Sequence, residues 1–171
     1  KRWSDNLVYN GDLASDDLTS FAAKWGPDND YTVGNGSVVN GAFEVISRER
    51  SAGAPVHYSQ MFIKLDEFVM PGEKVYVSFD YRADVATSVP TQAHHVPCAY
   101  NWYSLLGDLQ FATGWKTYSN TITISQDQGA NGGMGAIAFN LNQNAEAHHY
   151  YLRNVVIRKE TTLDPGKKWS D

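Results

Sequence analysis

Thr91-Gln92-Ala93-His94 and Tyr100-Asn101-Trp102 set flat rings and planar polar groups at alternate positions along short runs. Successive side chains of an extended chain point to opposite faces. Gln92 and His94 therefore share one face; downstream, Tyr100 and Trp102 share a face with Asn101 opposite. In Gly135-Ala136-Ile137-Ala138-Phe139-Asn140-Leu141, the apolar Ile137, Phe139 and Leu141 face a core. That leaves Ala136, Ala138 and Asn140 outward, a smooth floor ending in an amide. Tyr58, Gln60 and Phe62 repeat the arrangement on an earlier run, and Trp25 stands before Gly26-Pro27 as either a rim platform or a buried anchor. Rings of this kind stack on the C–H faces of pyranose sugars, and amides and imidazoles read hydroxyl groups. The candidate ligand-binding residues are Trp102, Tyr100, Gln92, His94, Asn140, Gln60, Tyr58 and Trp25. Each also has a plainer use, as a core edge, a loop tie or a turn cap.

Other chemistry finds less footing. The chain has no G-x-S-x-G elbow and no H-E-x-x-H, and the glycines of 129–135 precede a strand pattern where a phosphate cradle would precede a helix. His94-His95 and His148-His149 resemble metal pairs, but neighbours on a strand point apart and cannot both reach one ion without a bulge. Among 19 carboxylates some pair always falls at glycosidase spacing. Several of them, Asp28, Asp30, Asp66 and Glu67, sit in turn-like settings where solvation accounts for them.

The elements that must position these groups have period two. Val75-Tyr76-Val77-Ser78-Phe79-Asp80-Tyr81-Arg82 turns Val75, Val77, Phe79 and Tyr81 one way and Ser78, Asp80 and Arg82 the other. The same alternation runs through 43–46, 60–63, 117–124, 134–141 and 150–157. Turn residues separate the runs: Asn10-Gly11-Asp12, Gly34-Asn35-Gly36, Asn40-Gly41 and Met70-Pro71-Gly72. Eight or nine strands so punctuated predict an all-β, antiparallel jelly-roll sandwich with one concave binding sheet. Asp16–Lys24 is the best short helix candidate, and Ala83–Asp108 reads as one strand with long flanking loops.

Bulk properties narrow the class. At 171 residues the chain suits one domain with a real core. Its charge of −5 disfavours nucleic acid, which needs a basic surface, and no apolar run approaches the roughly 20 residues of a spanning helix. Aromatics at 13% exceed what a core requires, which points to rings used for contact. Cys98, the single cysteine, excludes an internal disulfide. The chain opens on Lys1-Arg2-Trp3 with no signal-peptide pattern and reads as a processed piece. Lys1-Arg2-Trp3-Ser4-Asp5 recurs as Lys167-Lys168-Trp169-Ser170-Asp171. The repeat divides the chain into a module over 1–160 and, over 161–171, a linker with the start of a second, similar module.

The order of several motifs resembles family 4 carbohydrate-binding modules. The matching stretches are Asn6-Leu7-Val8-Tyr9-Asn10-Gly11-Asp12, Val77–Arg82, Trp115-Lys116-Thr117-Tyr118 and Tyr150-Tyr151-Leu152-Arg153-Asn154-Val155. Thr91–His94, Tyr100–Trp102, Phe111–Trp115 and Ile137–Leu141 are similar to modules inserted in family 10 xylanases of gut Bacteroidetes. The resemblance implies a non-catalytic module that binds xylan or a related β-linked glycan, with cleft residues matching Gln92, Tyr100, Trp102 and Asn140. It further implies a covalently linked catalytic domain and an extracellular or cell-surface bacterial setting. Relatives often carry a structural calcium held partly by a glutamate and an aspartate; here Ala14 and Arg153 stand in those positions, which puts that calcium in doubt, although backbone oxygens, Asp12 or Asn154 could still hold one. Two other classes stay open on the residues alone. They are a small glycan-cleaving enzyme and a structural or adhesion sandwich.

Overall fold

Alternating apolar residues fold here into twelve strands among the described residues. They are β1 (Arg2–Trp3), β2 (Phe21–Trp25), β3 (Tyr31–Thr32), β4 (Gly36–Val39), β5 (Ala42–Ile46) and β6 (Ser59–Val69), then β7 (Lys74–Ala83), β8 (Thr87–His94), β9 (Tyr100–Phe111), β10 (Lys116–Thr123), β11 (Met134–Asn140) and β12 (His149–Thr161). The computed structural model describes residues 2–26, 31–32 and 36–161; the side chains of residues 31, 32, 102, 103 and 131 lie outside that description. All strand pairs are antiparallel. One sheet runs β10-β7-β12-β5-β4 with β1 on β12, and the other runs β3-β2-β6-β11-β8-β9. The result is the all-β sandwich that the alternation predicts.

The core lies between the sheets. From the first sheet come Val75, Val77, Phe79 and Tyr81 of β7 and Tyr150, Leu152, Val155 and Ile157 of β12. The second contributes Phe21 and Ala23 of β2, Met61 and Ile63 of β6, Ile137 and Phe139 of β11 and Ala93 of β8. Phe79 and Phe139 meet edge to face across the gap, centroids 5.6 Å apart at 86°. Each such ring, fully buried, contributes about 1.5–3 kcal/mol from area alone. The Tyr150 hydroxyl, enclosed in this core, donates to Leu141 O at 3.0 Å, and burial pushes its pKa up to about 12.

The N-terminal segment is tied to β12 by one side chain. Asn6 Nδ2 donates to Val155 O at 2.9 Å, while its Oδ1 accepts from Ile157 N at 2.9 Å and Val8 N at 3.1 Å. Gly11 lies against Val155 O so closely that any Cβ would collide with it.

Two expectations are corrected. The Asp16–Lys24 stretch is no helix: Phe21–Trp25 is a strand, because Phe21 and Ala23 reach the core only if the chain is extended against β6. Tertiary burial overrides a weak local preference. Ala83–Asp108 is not one strand between long loops. It holds β8 and most of β9, a long antiparallel pair closed by the short turn 95–99.

Candidate functional site

The face of the second sheet turned away from the core gathers most of the polar candidates into three rows across the strands. Lys24, Gln60 and Asn140 are register partners in one row. Ala22, Phe62, Ala138 and Gln92 form the next, and Lys64, Ala136 and His94 the third. Strand pleat explains the sorting. On β2 and β6 the intervening Phe21, Ala23, Met61 and Ile63 all go to the core. Ala22, Phe62 and Ala138 make a separate apolar patch, with Cys98 packed on it.

The polar groups of this face hold one another in fixed orientations. Gln60 Nε2 donates to Asn140 Oδ1 at 2.8 Å. His94 Nδ1 accepts from the backbone N–H of Cys98 at 3.0 Å, so the ring proton sits on Nε2, which faces Gln92 Oε1 at 2.9 Å. These bonds leave the Asn140 and Gln92 amide NH2 groups and Gln60 Oε1 without a bonded partner among the described residues. None of these atoms is an enclosed unpartnered one, so each keeps some contact with solvent. The face therefore offers two amide donors and one amide acceptor, pre-set by side chains that cannot turn without losing a bond.

Burial and charge keep His94 neutral. Burial first, then the nearby charges of Lys24 and His57, lower its pKa to about 4. Burial and then Lys24 also lower His57. Burial raises the Cys98 thiol, with Lys24 acting the other way. Lys24, His57, His94 and Cys98 thus sense a common neighbourhood.

The expectation that these groups are solvent-facing needs correction. Gln60, Gln92, His94 and Asn140 are at most 5% exposed. They turn away from the core, as alternation requires, yet the 95–99 turn closes over one end through the Cys98 contact with His94. Cys98 takes a left-handed φ of 69° to do so. Tyr100, paired with His94 in register, is 42% exposed and meets the His94 ring at 6.0 Å and 75°. Phe62 also meets that ring, centroids 5.5 Å apart at 65°. Tyr58 is half-buried just before β6, its ring 5.7 Å from His57. Trp25 sits apart. Its indole donates to Ile46 O of the other sheet at 2.9 Å, and the Arg48 guanidinium lies 4.0 Å over its ring. Trp102 pairs with Ala93 through its backbone, and its side chain lies outside the described residues, as do Asp28, Asp30 and the terminal repeat with its linker.

Two residues of this neighbourhood, Lys24 and His57, escaped the sequence reading. The signal for Lys24 was the alternation of Ala22 and Lys24 against Phe21 and Ala23, masked by the helical reading of that stretch. For His57 nothing short of the fold supplies a signal.

The remaining histidines are spoken for separately. His95 Nδ1 lies 3.0 Å from Gly133 O, with its ring stacked on Phe68 at 4.2 Å. His148 meets Asp84 at 2.9 Å and His149 meets Glu44 at 3.1 Å. No group of three metal-binding side chains occurs among the described residues. At the calcium position of the resembled family, a cavity of about 350 Å³ is lined by Asn6, Asn10, Gly11, Asp12 and Asn154 with three valines. Ca²⁺ takes six to eight oxygens. Here Asp12 Oδ1 accepts from Ala14 N, Asn10 Oδ1 from Ser15 N and Val155 O from Asn6 Nδ2, while Asn154 Nδ2 and Arg153 Nε both turn to Asp80. Asp12 is the one carboxylate lining the cavity, where the resembled family's glutamate and aspartate positions hold Ala14 and Arg153.

No family model and no curated protein sequence matches the chain. Solved structures do match in fold. A family 4 carbohydrate-binding module superposes with a TM-score of 0.61 at 14% identity, covering 90% of this chain and 99% of the module. A family 29 module variant complexed with mannohexaose gives 0.60 at 13% identity, over 96% and 100%. The N-terminal cellulose-binding domain of a Cellulomonas fimi β-1,4-glucanase gives 0.54 at 15% identity, over 86% and 93%. At these identities the likeness is one of fold.

Proposed function

We propose that this chain is a non-catalytic carbohydrate-binding module that holds xylan or a related β-linked glycan against the outer face of its second sheet. The observation that carries the reading is the pre-set array of Gln60, Asn140, Gln92 and His94 beside the Phe62 patch, on the outer face that residue type and alternation pick out. Amide donors and an acceptor fixed in place read hydroxyls, and Tyr100 at the rim offers an exposed ring for stacking. Both nitrogens of His94 are engaged and its pKa is far below neutrality, which suits a fixed donor better than a proton-transfer group. The sandwich fold shared with glycan-binding modules agrees with this reading.

Residues 1–160 are the binding module, and 161–171 lead into a second, similar one. The natural setting is a secreted or cell-surface bacterial enzyme in which the module keeps an attached glycoside hydrolase near its substrate by raising local concentration. Affinity electrophoresis against xylan, cellulose, β-glucan and mannan, with a reducing-end and unsaturated-product assay on the same samples, tests the reading. It expects retardation by xylan without product. Product release would make the chain an enzyme, and no retardation in any gel would leave a structural sandwich.

A further inference from the structure

Lys24 is the least expected group on the glycan-facing sheet. Its side chain is 3% exposed, and no hydrogen bond or ion pair engages its ammonium among the described residues. Its strand neighbour in the row is Gln60, with Asn140 one strand further, and its charge is felt by His57, His94 and Cys98. Lys64 stands on the same face, two positions along β6 from Phe62, its ammonium also without a bonded partner among those residues. No carboxylate occurs in the three rows, although the whole chain is acidic at −5.

Lys24 as a whole is nearly out of water while its ammonium keeps a solvent contact and no counter-charge. Holding a charge there is disfavoured relative to an apolar side chain of like length. A neutral sugar gives an ammonium no charge to pair with. Beyond Gln60 on the same side lie the NH2 groups of Asn140 and, one strand further, Gln92, so oxygens of an incoming group find the ammonium at one end and amide donors at the other. That chemistry is suited to a planar carboxylate.

We infer that the face takes a glycan bearing uronic-acid residues, the sugar carboxylate pairing with the Lys24 ammonium and turning its other oxygen toward the Asn140 NH2 group. The inference rests on the glycan-binding reading and names its ligand class.

The test uses the intact chain and matched polymers. Glucuronoxylan, polygalacturonate and alginate are each compared with a carboxyl-reduced counterpart, and dextran sulfate serves as a measure of bare ion exchange. At least one acidic polymer should bind tenfold or more tightly than its reduced form, with dextran sulfate bound no better than the reduced forms. Lys24→Met should lose that preference while unfolding at or above the wild-type temperature, and Lys24→Gln should do the same if the methionine variant does not fold. Equal binding of acidic and reduced polymers overturns the uronate inference and leaves the glycan reading standing. Dextran sulfate bound as tightly as the best acidic polymer overturns it as well. No binding to any polymer removes both.

Discussion

A single imidazole carries the clearest solution test at the residue scale. His94 is buried and neutral in the fold, with a pKa lowered to about 4, whereas in the unfolded chain it titrates near 6.5. Its contribution is complete above pH 6.5. As pH falls from there toward 4, the unfolded chain takes up a proton that the fold refuses. Stability drops through that window by up to about 3 kcal/mol and does not recover below it. The Asp80 window is separate. Burial works to raise its pKa, but hydrogen bonds from Thr117, Asn154 and Arg153 prevail and hold it below 3.8, so its loss comes at lower pH. Urea melts between pH 7 and 4 should show a slope that His94→Gln flattens; an unchanged slope would place the imidazole elsewhere. Tyr100→Ala should weaken glycan binding by about 1–3 kcal/mol, the range for losing an interface ring, when read by affinity electrophoresis. Residue type and alternation were enough to put Gln60, Gln92, His94 and Asn140 on one outer face. Lys24 was hidden because Phe21-Ala22-Ala23-Lys24 reads equally well in helical and extended form until a partner strand is known.

Strand pairing explains why the amides act together. Gln60 on β6 and Asn140 on β11 bond directly across neighbouring strands. Asn140→Leu leaves the Gln60 amide with an unmade buried bond, at a cost of about 1–3 kcal/mol in thermal or chemical melts. The double variant Gln60→Met with Asn140→Leu should recover most of that stability, since both partners become apolar, while glycan binding stays lost. Recovered binding would show that the pair is only a structural tie. A glycine tests the approach of β11 to the turn beyond β8. A Cβ on Gly135 would meet His95 O and come within 2.7 Å of the Phe68 ring. Gly135→Ala should therefore destabilise the fold and loosen the 95–99 turn over the site, seen as faster amide exchange there. Elements with strict alternation, such as 75–82 and 134–140, were legible because one face is core and the other is not. The pair β8–β9 was less so: Thr87-Ser88-Val89-Pro90 has little apolar contrast, and its pairing with residues twenty positions away is a tertiary fact. Alternation also reveals which way a side chain turns and nothing about what covers it. The cover that the turn 95–99 lays over the His94 end became visible only with the fold.

The whole molecule is a two-sheet sandwich with one face committed to its core and another built of fixed polar groups around a small apolar patch. Its opposite sheet spends its aromatics and charges on one another. Arg153 lies 3.9 Å over Trp115, and Arg82 lies 4.5 Å over Tyr151. The two faces therefore differ in what they leave available, which favours the second sheet as the binding surface. A single shallow polar site should bind weakly, because displaced water and ordered side chains take back much of the gain. Two linked copies should accordingly bind a polymer far more tightly than one while binding a short oligosaccharide equally. The most direct measurement of the central claim is the mobility of the 171-residue chain in native gels with and without soluble xylan. Retardation by xylan, abolished in the Gln60→Met with Asn140→Leu double variant, is the predicted result. Unchanged mobility in xylan, cellulose, β-glucan and mannan gels alike would contradict it.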